Sequence, residues 1–331
     1  MNLDSYAVIC HKPLGDNGED AYAFNFSRKD VHSFGVFDGC GGSGAWKYPE
    51  FHNATGAFVA AQSIAKAFLK WSGSISAEES IDSTCLANQF HDFSLETLST
   101  LKQSCAPMGV SGSLVKSFPC TASVAIVTQI TNDSINVSVL NVGDSRVYIL
   151  TPNDGLIQLT KDDSRGNPDP LDSLRDNAPL SDLLNADKPY KVKTRQLRIQ
   201  MPCAIMCATD GIFGFVRSPM DFEYILLESI NKANTVSEFE TLFRSTILKL
   251  TGDDSTCILT FYGFGNYQAI KKSLVNRFIR VSAMIQAIDQ THDPSDAERI
   301  IREQWNTYKR STVYDEMQVY INWNALDCTS N

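Results

Sequence analysis

The stretch that decides the fold reads Ser33-Phe34-Gly35-Val36-Phe37-Asp38-Gly39-Cys40-Gly41-Gly42. Its apolar first half is typical of a buried strand, which ends on an aspartate followed by a glycine-rich turn. A second apolar run also ends on an Asp-Gly pair, at Asp210, and a third begins shortly after Asp253. Carboxylates that meet at strand ends crowd negative charge, which a hard divalent cation or a raised pKa relieves.

Composition excludes several classes of protein. The 331 residues, 43% of them apolar, can bury a large core, and a net charge of -9 argues against a nucleic-acid partner. Nine cysteines without a Cys-x-x-Cys pair argue against a disulfide framework or a structural zinc site. Because the opening is polar and no run of 18 apolar residues occurs, we expect no membrane partner and a cytoplasmic location.

Hydrophobic periodicity predicts strands and helices in separate groups. Strands are predicted at residues 6–10, 21–26, 33–37, 121–130, 135–142, 146–150, 195–199, 204–209 and 257–262. Helices are predicted at residues 58–71, 78–102, 219–233 and 236–250, and residues 160–190 form an irregular or short-helical insertion. Tight turns between strands indicate antiparallel neighbours, so the pattern favours an α+β fold with segregated layers.

The pattern changes beyond Gly263 and divides the chain into a domain at residues 1–263 and a helical extension at 264–331. One helix has an apolar face, with Arg277 among the basic residues on its other sides, and Asp293 and Pro294 begin a second helix. The segment 313–323 is amphipathic but too short to assign. The apolar faces favour packing against the parent domain, and the alternative is a docking surface for a partner.

A dinucleotide site competes for the same glycines. Residues 39–44 match G-x-G-x-x-G between a strand and a helix. However, no acidic residue occurs from 51 to 77 to bind a ribose hydroxyl, and the flanking strands look antiparallel. This interpretation is therefore disfavoured.

The acidic residues themselves suggest metal ligands. Mg²⁺ and Mn²⁺ prefer oxygen donors and keep several waters, so a few carboxylates and a backbone carbonyl are enough for a site. The residues that fit are Glu19, Asp20, Asp38, Asp210 and Asp253. Five carboxylates and a glycine carbonyl are too many for one such ion and suit two ions that share a water.

Several motifs in order resemble the PPM/PP2C family of metal-dependent Ser/Thr phosphatases. They are Glu19-Asp20-Ala21, Asp38-Gly39-x-Gly41-Gly42, Cys120-Thr121-Ala122, Val142-Gly143-Asp144-Ser145-Arg146, Asp210-Gly211 and Asp253-Asp254-x-Thr256. The resemblance covers about residues 6–262, and the motifs are specific as a set although each alone is weak.

The resemblance implies a four-layer α-β-β-α sandwich of two antiparallel sheets flanked by helix pairs. It also implies roles for individual residues: Asp38 bridges two ions, Gly39 offers its carbonyl, Glu19 holds one ion, Asp210 and Asp253 hold the other, and Asp20 acts through a water. The expected reaction is attack on the phosphoserine or phosphothreonine of a protein by a water or hydroxide that bridges two Mg²⁺ or Mn²⁺ ions. No covalent phosphoenzyme is expected.

The chain departs from the family pattern at three places. Many members carry His, discussed as a general acid, at the position of Cys40, and a thiol is a poorer acid unless its pKa falls. The family's phosphate-binding Arg would fall at Gly15, and Lys12 is the nearby cation that could take its place. A third metal site would use Asp144, but Gly214 replaces its second acid.

Each of these residues also has a structural interpretation. Asp38 and Asp210 could be turn residues, Asp144 could pair with Arg146 in a hairpin or cap the turn, Cys40 could fill a turn, and Lys12 could be a solvated charge. The departures also leave a second function open. A pseudophosphatase would bind phosphoproteins or regulators in the same cleft and release no phosphate.

Overall fold

A computed structural model describes residues 3–13, 15, 18–76, 82–106, 115–165, 169–175 and 178–312 of the chain. The strands are β1 Leu3–His11, β2 Ala21–Asn25, β3 Val31–Phe37, β4 Lys47–Tyr48, β5 Ala54–Thr55, β6 Ala122–Thr131, β7 Ser134–Val142, β8 Arg146–Thr151, β9 Gly155–Gln158, β10 Lys193–Gln200, β11 Cys203–Ala208 and β12 Ser255–Tyr262. The helices are α1 Gly41–Gly44, α2 Gly56–Ser72, α3 Ser83–Gln103, α4 Pro170–Ser173, α5 Asp210–Phe213, α6 Pro219–Lys232, α7 Val236–Ile247, α8 Tyr267–Asp289 and α9 Pro294–Thr312.

Two five-stranded antiparallel sheets face each other across the core. One sheet has the order β1-β12-β11-β8-β9 and the other β10-β7-β6-β3-β2. Side chains such as Phe34, Ile149 and Ile258 fill the space between the sheets. The helices α2 and α3 cover the outer face of the second sheet, while α6 and α7 cover the first. The predicted α+β sandwich of four layers is confirmed.

Local sequence determines where several helices begin. Thr55 accepts the Phe58 amide at 3.1 Å and so caps α2, and Asp82 caps α3 in the same way. For α6, Ser218 is the cap and Pro219 the first helical residue, a position where the missing amide of proline costs no hydrogen bond.

The strand register brings particular strand ends together. In one sheet, the end of β1 pairs with the start of β12, and the end of β11 lies beside the start of β8. In the other, the start of β2 pairs with the end of β3, and the start of β6 with the end of β7. The motifs found in the sequence all lie at these ends, which we call the acidic edge: Glu19, Asp20, Asp38, Asp144, Asp210, Asp253 and Asp254.

The helices α8 and α9 bury their apolar faces in the same core as α6. The predicted packing against the parent domain is therefore confirmed, and the alternative of a docking surface finds no support. The prediction for Arg277 is wrong, because its guanidinium is buried and donates to Glu223 of α6 at 2.7 Å. Asp293 caps α9 as predicted, and the segment 313–323 lies outside the described residues.

Periodicity missed several short elements. The strand β9, the helices α1 and α5 and the β4–β5 hairpin each span four residues or fewer per segment, which is too short for a period to show. The short helix α4 lies within the irregular or short-helical insertion predicted at residues 160–190. Within the described part of the chain, none of the helices is long and apolar enough to cross a membrane.

Candidate metal centre

Glu19 lies where the loop before β2 meets α2 and β12. Its carboxylate accepts the hydroxyl of Thr55, and its backbone amide donates to the Asp254 carboxylate. Burial raises the pKa of Glu19, and Asp254 and Asp253 raise it further, whereas the Thr55 hydrogen bond opposes the shift. A side chain at Gly41 would meet the Glu19 carboxylate, so the two positions are in close contact.

Asp20 is the most buried carboxylate of the acidic edge, with 1% of its surface exposed. It accepts the Thr209 hydroxyl at 2.8 Å, and Thr209 in turn bonds to the backbone of Thr256. Burial raises the pKa of Asp20 to about 7 against the opposing hydroxyl bonds, and the neighbouring Asp254 and Asp210 add to the rise.

Asp38 and Asp210 meet at the centre of the acidic edge. Burial raises the pKa of Asp38 well above its ordinary value, and the charges of Asp20, Asp210, Asp144 and Asp253 add to the effect. Asp210 starts α5, and its carboxyl lies within hydrogen-bonding reach of Asp38; burial raises its pKa to about 6. Asp38 thus lies close to carboxylates from both sheets.

Asp144 occupies the turn between β7 and β8, and burial followed by the charge of Asp210 raises its pKa to about 7. One of the two structural alternatives for Asp144 is an ion pair with Arg146. Instead, Arg146 binds Asp162 through two nitrogens, at 3.0 and 2.6 Å, and lies over the Phe213 ring. Asp144 is therefore left beside the other carboxylates without a bidentate cation.

Residues 38–40 form a compact turn. The Asp38 carbonyl accepts the Thr121 amide at 2.8 Å, and a side chain at Gly39 would come within 2.7 Å of the Ala57 carbonyl. The Cys40 thiol lies 4.0 Å from the Asp38 carbonyl oxygen. Burial raises the pKa of Cys40, and Asp38 and Asp144 raise it further, which is opposite to the shift that an efficient acid would need.

Lys12 follows β1 and points back toward the loop that carries Glu19. Its ammonium donates to the Gly18 carbonyl at 3.0 Å and lies 5.7 Å from the centre of the Phe58 ring. Lys12 is therefore near the acidic edge but already engaged, while Gly15 has a positive φ of 63° and no side chain to offer.

The donor types of the acidic edge fit a hard divalent cation, because they are carboxylate and carbonyl oxygens. Among the described residues, however, no three His, Cys, Asp or Glu side chains are already arranged as a group that could hold a metal ion. Their oxygens instead accept from Thr55, Thr209 and backbone amides. Coordination of an ion by these residues would therefore require their side chains to rotate.

The sequence did not predict several residues that position the acidic side chains. Asp254 belongs to a quoted motif but had no role, and it accepts the amides of both Glu19 and Asp20. Thr209 and Thr55 were also missed. The signal for Thr209 is its place directly before Asp210, and the signal for Thr55 is its place directly before the first turn of α2.

The acidic edge opens into a cleft of about 720 Å³. The lining residues come from the loop before β2, from the loop before β12 and from residues 47–58: Pro13, Glu19, Lys47, Phe51, His52, Asn53, Ala54, Thr55, Phe58, Gly252, Asp253 and Asp254. A cleft of this size can admit a phosphorylated side chain together with part of its peptide.

The family profile described as Protein phosphatase 2C matches residues 11–249. The fold is similar to that of the serine/threonine phosphatase Stp1 from Staphylococcus aureus, at 17% identity and a TM-score of 0.59, over 80% of this chain and 96% of that chain. It is similar to the catalytic domain of PstP in complex with two manganese ions, at 15% identity and a TM-score of 0.53, over 78% and 97% of the two chains.

A further structure of PstP/Ppp, from Mycobacterium tuberculosis, gives 15% identity and a TM-score of 0.52, over 78% of this chain and 97% of that one. No curated protein matches the chain in sequence. At identities this low, the structural similarities establish the fold.

Proposed function

We propose, because this chain belongs to the protein phosphatase 2C family, that it hydrolyses phosphoserine and phosphothreonine in protein substrates with two Mg²⁺ or Mn²⁺ ions. The observation that carries the proposal is the convergence of Asp38 and Asp210 with the other carboxylates at one edge of both sheets. When bound, such cations make a water nucleophilic at neutral pH and neutralise charge on the phosphate.

The residues proposed to hold the ions come from the acidic edge. Asp38 would contribute to both ions, Glu19 and the Gly39 carbonyl would hold one of them, and Asp210 with Asp253 would hold the other. Asp20, which accepts the Thr209 hydroxyl, would act through a water. Asp144 is proposed for a weaker third site, in which Gly214 supplies no side chain.

Two residues have smaller proposed parts. Lys12 would contact the substrate phosphate on leaving the Gly18 carbonyl, to which it donates. Cys40 has at most a minor role as an acid, because burial raises the pKa of its thiol.

We also propose that residues 1–263 form the phosphatase domain and residues 264–331 a helical extension. The burial of α8 and α9 in the core of α6 supports a structural part for that extension. The cytoplasm is the proposed location, since the eight described cysteines are all free thiols, as in a reducing compartment.

The test is phosphate release from a phosphothreonine peptide by the full chain with Mn²⁺ and with EDTA. We expect hydrolysis with Mn²⁺ alone and its loss in Asp210→Asn. The matched control is Asp133→Asn, an exposed carboxylate in the turn between β6 and β7, at the opposite end of these strands. Equal rates with Mn²⁺ and EDTA, or an unchanged rate in Asp210→Asn, would contradict the proposal.

The alternative is a pseudophosphatase that binds phosphoproteins. The observation in its favour is that glycine stands at position 15 and cysteine at position 40, where the family carries arginine and often histidine. Calorimetry separates the two functions, because a pseudophosphatase binds the phosphopeptide and leaves its phosphate intact.

A further inference from the structure

The segment 47–55 forms one wall of the cleft beside the acidic edge, and we call it the cleft hairpin. It consists of β4, a 3-10 helix at Pro49–Phe51 and β5. Lys47 and His52 from this hairpin line the same cleft as Glu19 and Asp253. The same cleft is therefore lined by the positively charged side chain of Lys47 and by negatively charged carboxylates.

Packing holds the cleft hairpin in place. The Tyr48 ring stacks on Phe118, with ring centres 4.5 Å apart, and the Gly56 amide donates to the Trp46 carbonyl at 2.8 Å. At its far end, Thr55 contacts the Glu19 carboxylate. The backbone of Lys47 is thus fixed relative to a proposed metal ligand.

The tip of the cleft hairpin has a conformation that non-glycine residues rarely adopt. His52 and Asn53 have φ values of 55° and 61°. Two backbone bonds hold them: the His52 amide donates to the Pro49 carbonyl at 3.2 Å, and the Asn53 amide donates to the Tyr48 carbonyl at 3.0 Å. Such conformations cost energy and concentrate at ligand-binding sites.

Lys47 differs from Lys12 in its availability. Its side chain is exposed, and in the part of the chain that the structure describes it makes no hydrogen bond or salt bridge. Lys12 is held by the Gly18 carbonyl and the Phe58 ring. An ammonium group that is free and lines the cleft can bind an anion without first breaking another contact.

We propose that Lys47 binds the phosphate group of the phosphoserine or phosphothreonine peptide. This proposal rests on the proposed phosphatase function. The proposed ligand is a phosphate monoester, which carries two negative charges. Divalent cations at the acidic edge would contact only some of its oxygens, so an oxygen that they leave free can accept from the Lys47 ammonium. Phe51 and His52, beside Lys47, provide surface for the flanking peptide.

The test measures kcat and KM of the full chain with Mn²⁺ for a phosphothreonine peptide and for p-nitrophenyl phosphate. In Lys47→Ala we expect KM to rise about tenfold for both substrates, since a charge-assisted hydrogen bond is lost, while kcat changes less than about threefold. Lys47→Arg should retain the wild-type KM. The matched control is Lys66→Ala, another exposed lysine, which lies in the middle of α2.

Two kinetic outcomes overturn the proposal. An unchanged KM in Lys47→Ala means that Lys47 does not contact the substrate. A rise for the peptide alone means that Lys47 contacts the peptide and not the phosphate.

Failure of hydrolysis itself is a separate outcome. If the wild-type chain releases no phosphate with Mn²⁺, the proposed reaction is wrong, and calorimetry with the phosphorylated and unphosphorylated peptides decides the role of Lys47. A phosphate-dependent affinity that falls about tenfold in Lys47→Ala supports the proposal. Equal affinity in the variant, or no binding by the wild type, overturns it.

Discussion

The negative charge of carboxylates is compensated differently at Glu223 and at the acidic edge. Glu223 on α6 is fully buried and receives two hydrogen bonds of 2.7 Å from Arg277. The Leu156 amide donates to it at 3.0 Å, and the Tyr308 hydroxyl donates as well. Its charge is therefore balanced by the protein itself. Glu223, Arg277, Tyr308 and Leu156, which we call the Glu223 cluster, join α6, α8, α9 and β9.

The acidic edge has no such balance. Asp38 and Asp210 lie against each other, and burial with the neighbouring carboxylates raises the pKa of both. The partners that these groups do have are hydroxyls and amides, such as Thr209 for Asp20. The Glu223 cluster therefore serves stability, while the acidic edge keeps an excess of negative charge that an external cation can relieve.

The largest effect should come from removing the central charge of the acidic edge. In Asp38→Asn we expect metal-dependent phosphatase activity to fall on the order of 10³-fold, because a bridging ligand is lost. The free energy of unfolding in EDTA should stay the same or rise, because a repulsive charge is removed. Activity assays and urea unfolding check the two parts, and a loss of stability in EDTA would show that Asp38 is a structural residue.

The Glu223 cluster should respond in the opposite way. Glu223→Gln leaves the buried Arg277 without its counter-charge and should lower the free energy of unfolding by about 3 kcal/mol. Activity per folded molecule should be unchanged, since Glu223 contacts the far end of β8 and β9. The control is Glu298→Gln, which removes a partner of Arg175 in a partly exposed pair and should cost less than about 1 kcal/mol. Equal costs for the two variants would contradict the comparison.

Much of this architecture is predictable from the sequence. Alternating apolar residues predict the long strands such as β7, and the Asp-Gly pairs place carboxylates at strand ends. The resemblance to known phosphatases further predicts that the two sheets pack face to face. A period cannot tell which strands meet across a core, because that depends on contacts far apart in sequence.

The parts that escaped prediction depend on single contacts. Arg277 has the spacing of a polar face, yet it is buried because Glu223 lies opposite it on α6. Asp254 looks like a second turn residue until its carboxylate is seen to accept the amides of Glu19 and Asp20. Lys47 lies in a two-residue strand, which no periodic signal marks.

The excess of negative charge at the acidic edge should make the free energy of unfolding depend on pH. In the folded chain the pKa of Asp20 and of Asp144 is raised to about 7, and that of Asp210 to about 6, from an ordinary value of 3.8. The folded state therefore holds protons that the unfolded state has released, so stability falls as pH rises from about 4 to about 7. We expect a drop on the order of 2 kcal/mol between pH 5 and pH 8 in EDTA.

Urea unfolding at both pH values measures this drop, and Mn²⁺ should reduce it, because a bound cation replaces the protons. The variant Glu223→Gln should keep the same pH dependence as the wild type, since its charge lies outside the acidic edge. A chain that is equally stable at pH 5 and pH 8 in EDTA would show that the carboxylates are already compensated.

The smallest effect is expected at Cys40, the neutral side chain in contact with the acidic edge. Burial and the charges of Asp38 and Asp144 raise the pKa of its thiol, so it stays protonated at neutral pH and releases its proton poorly to a leaving group. Cys40→Ser should therefore change kcat less than about threefold and leave the alkaline side of the pH-rate profile in place. A fall in kcat of more than about tenfold, with a shift of the alkaline side of the profile, would assign Cys40 the role of an acid. The proton of Cys40 would then serve the reaction directly, as the charge of Asp38 does in the proposed mechanism.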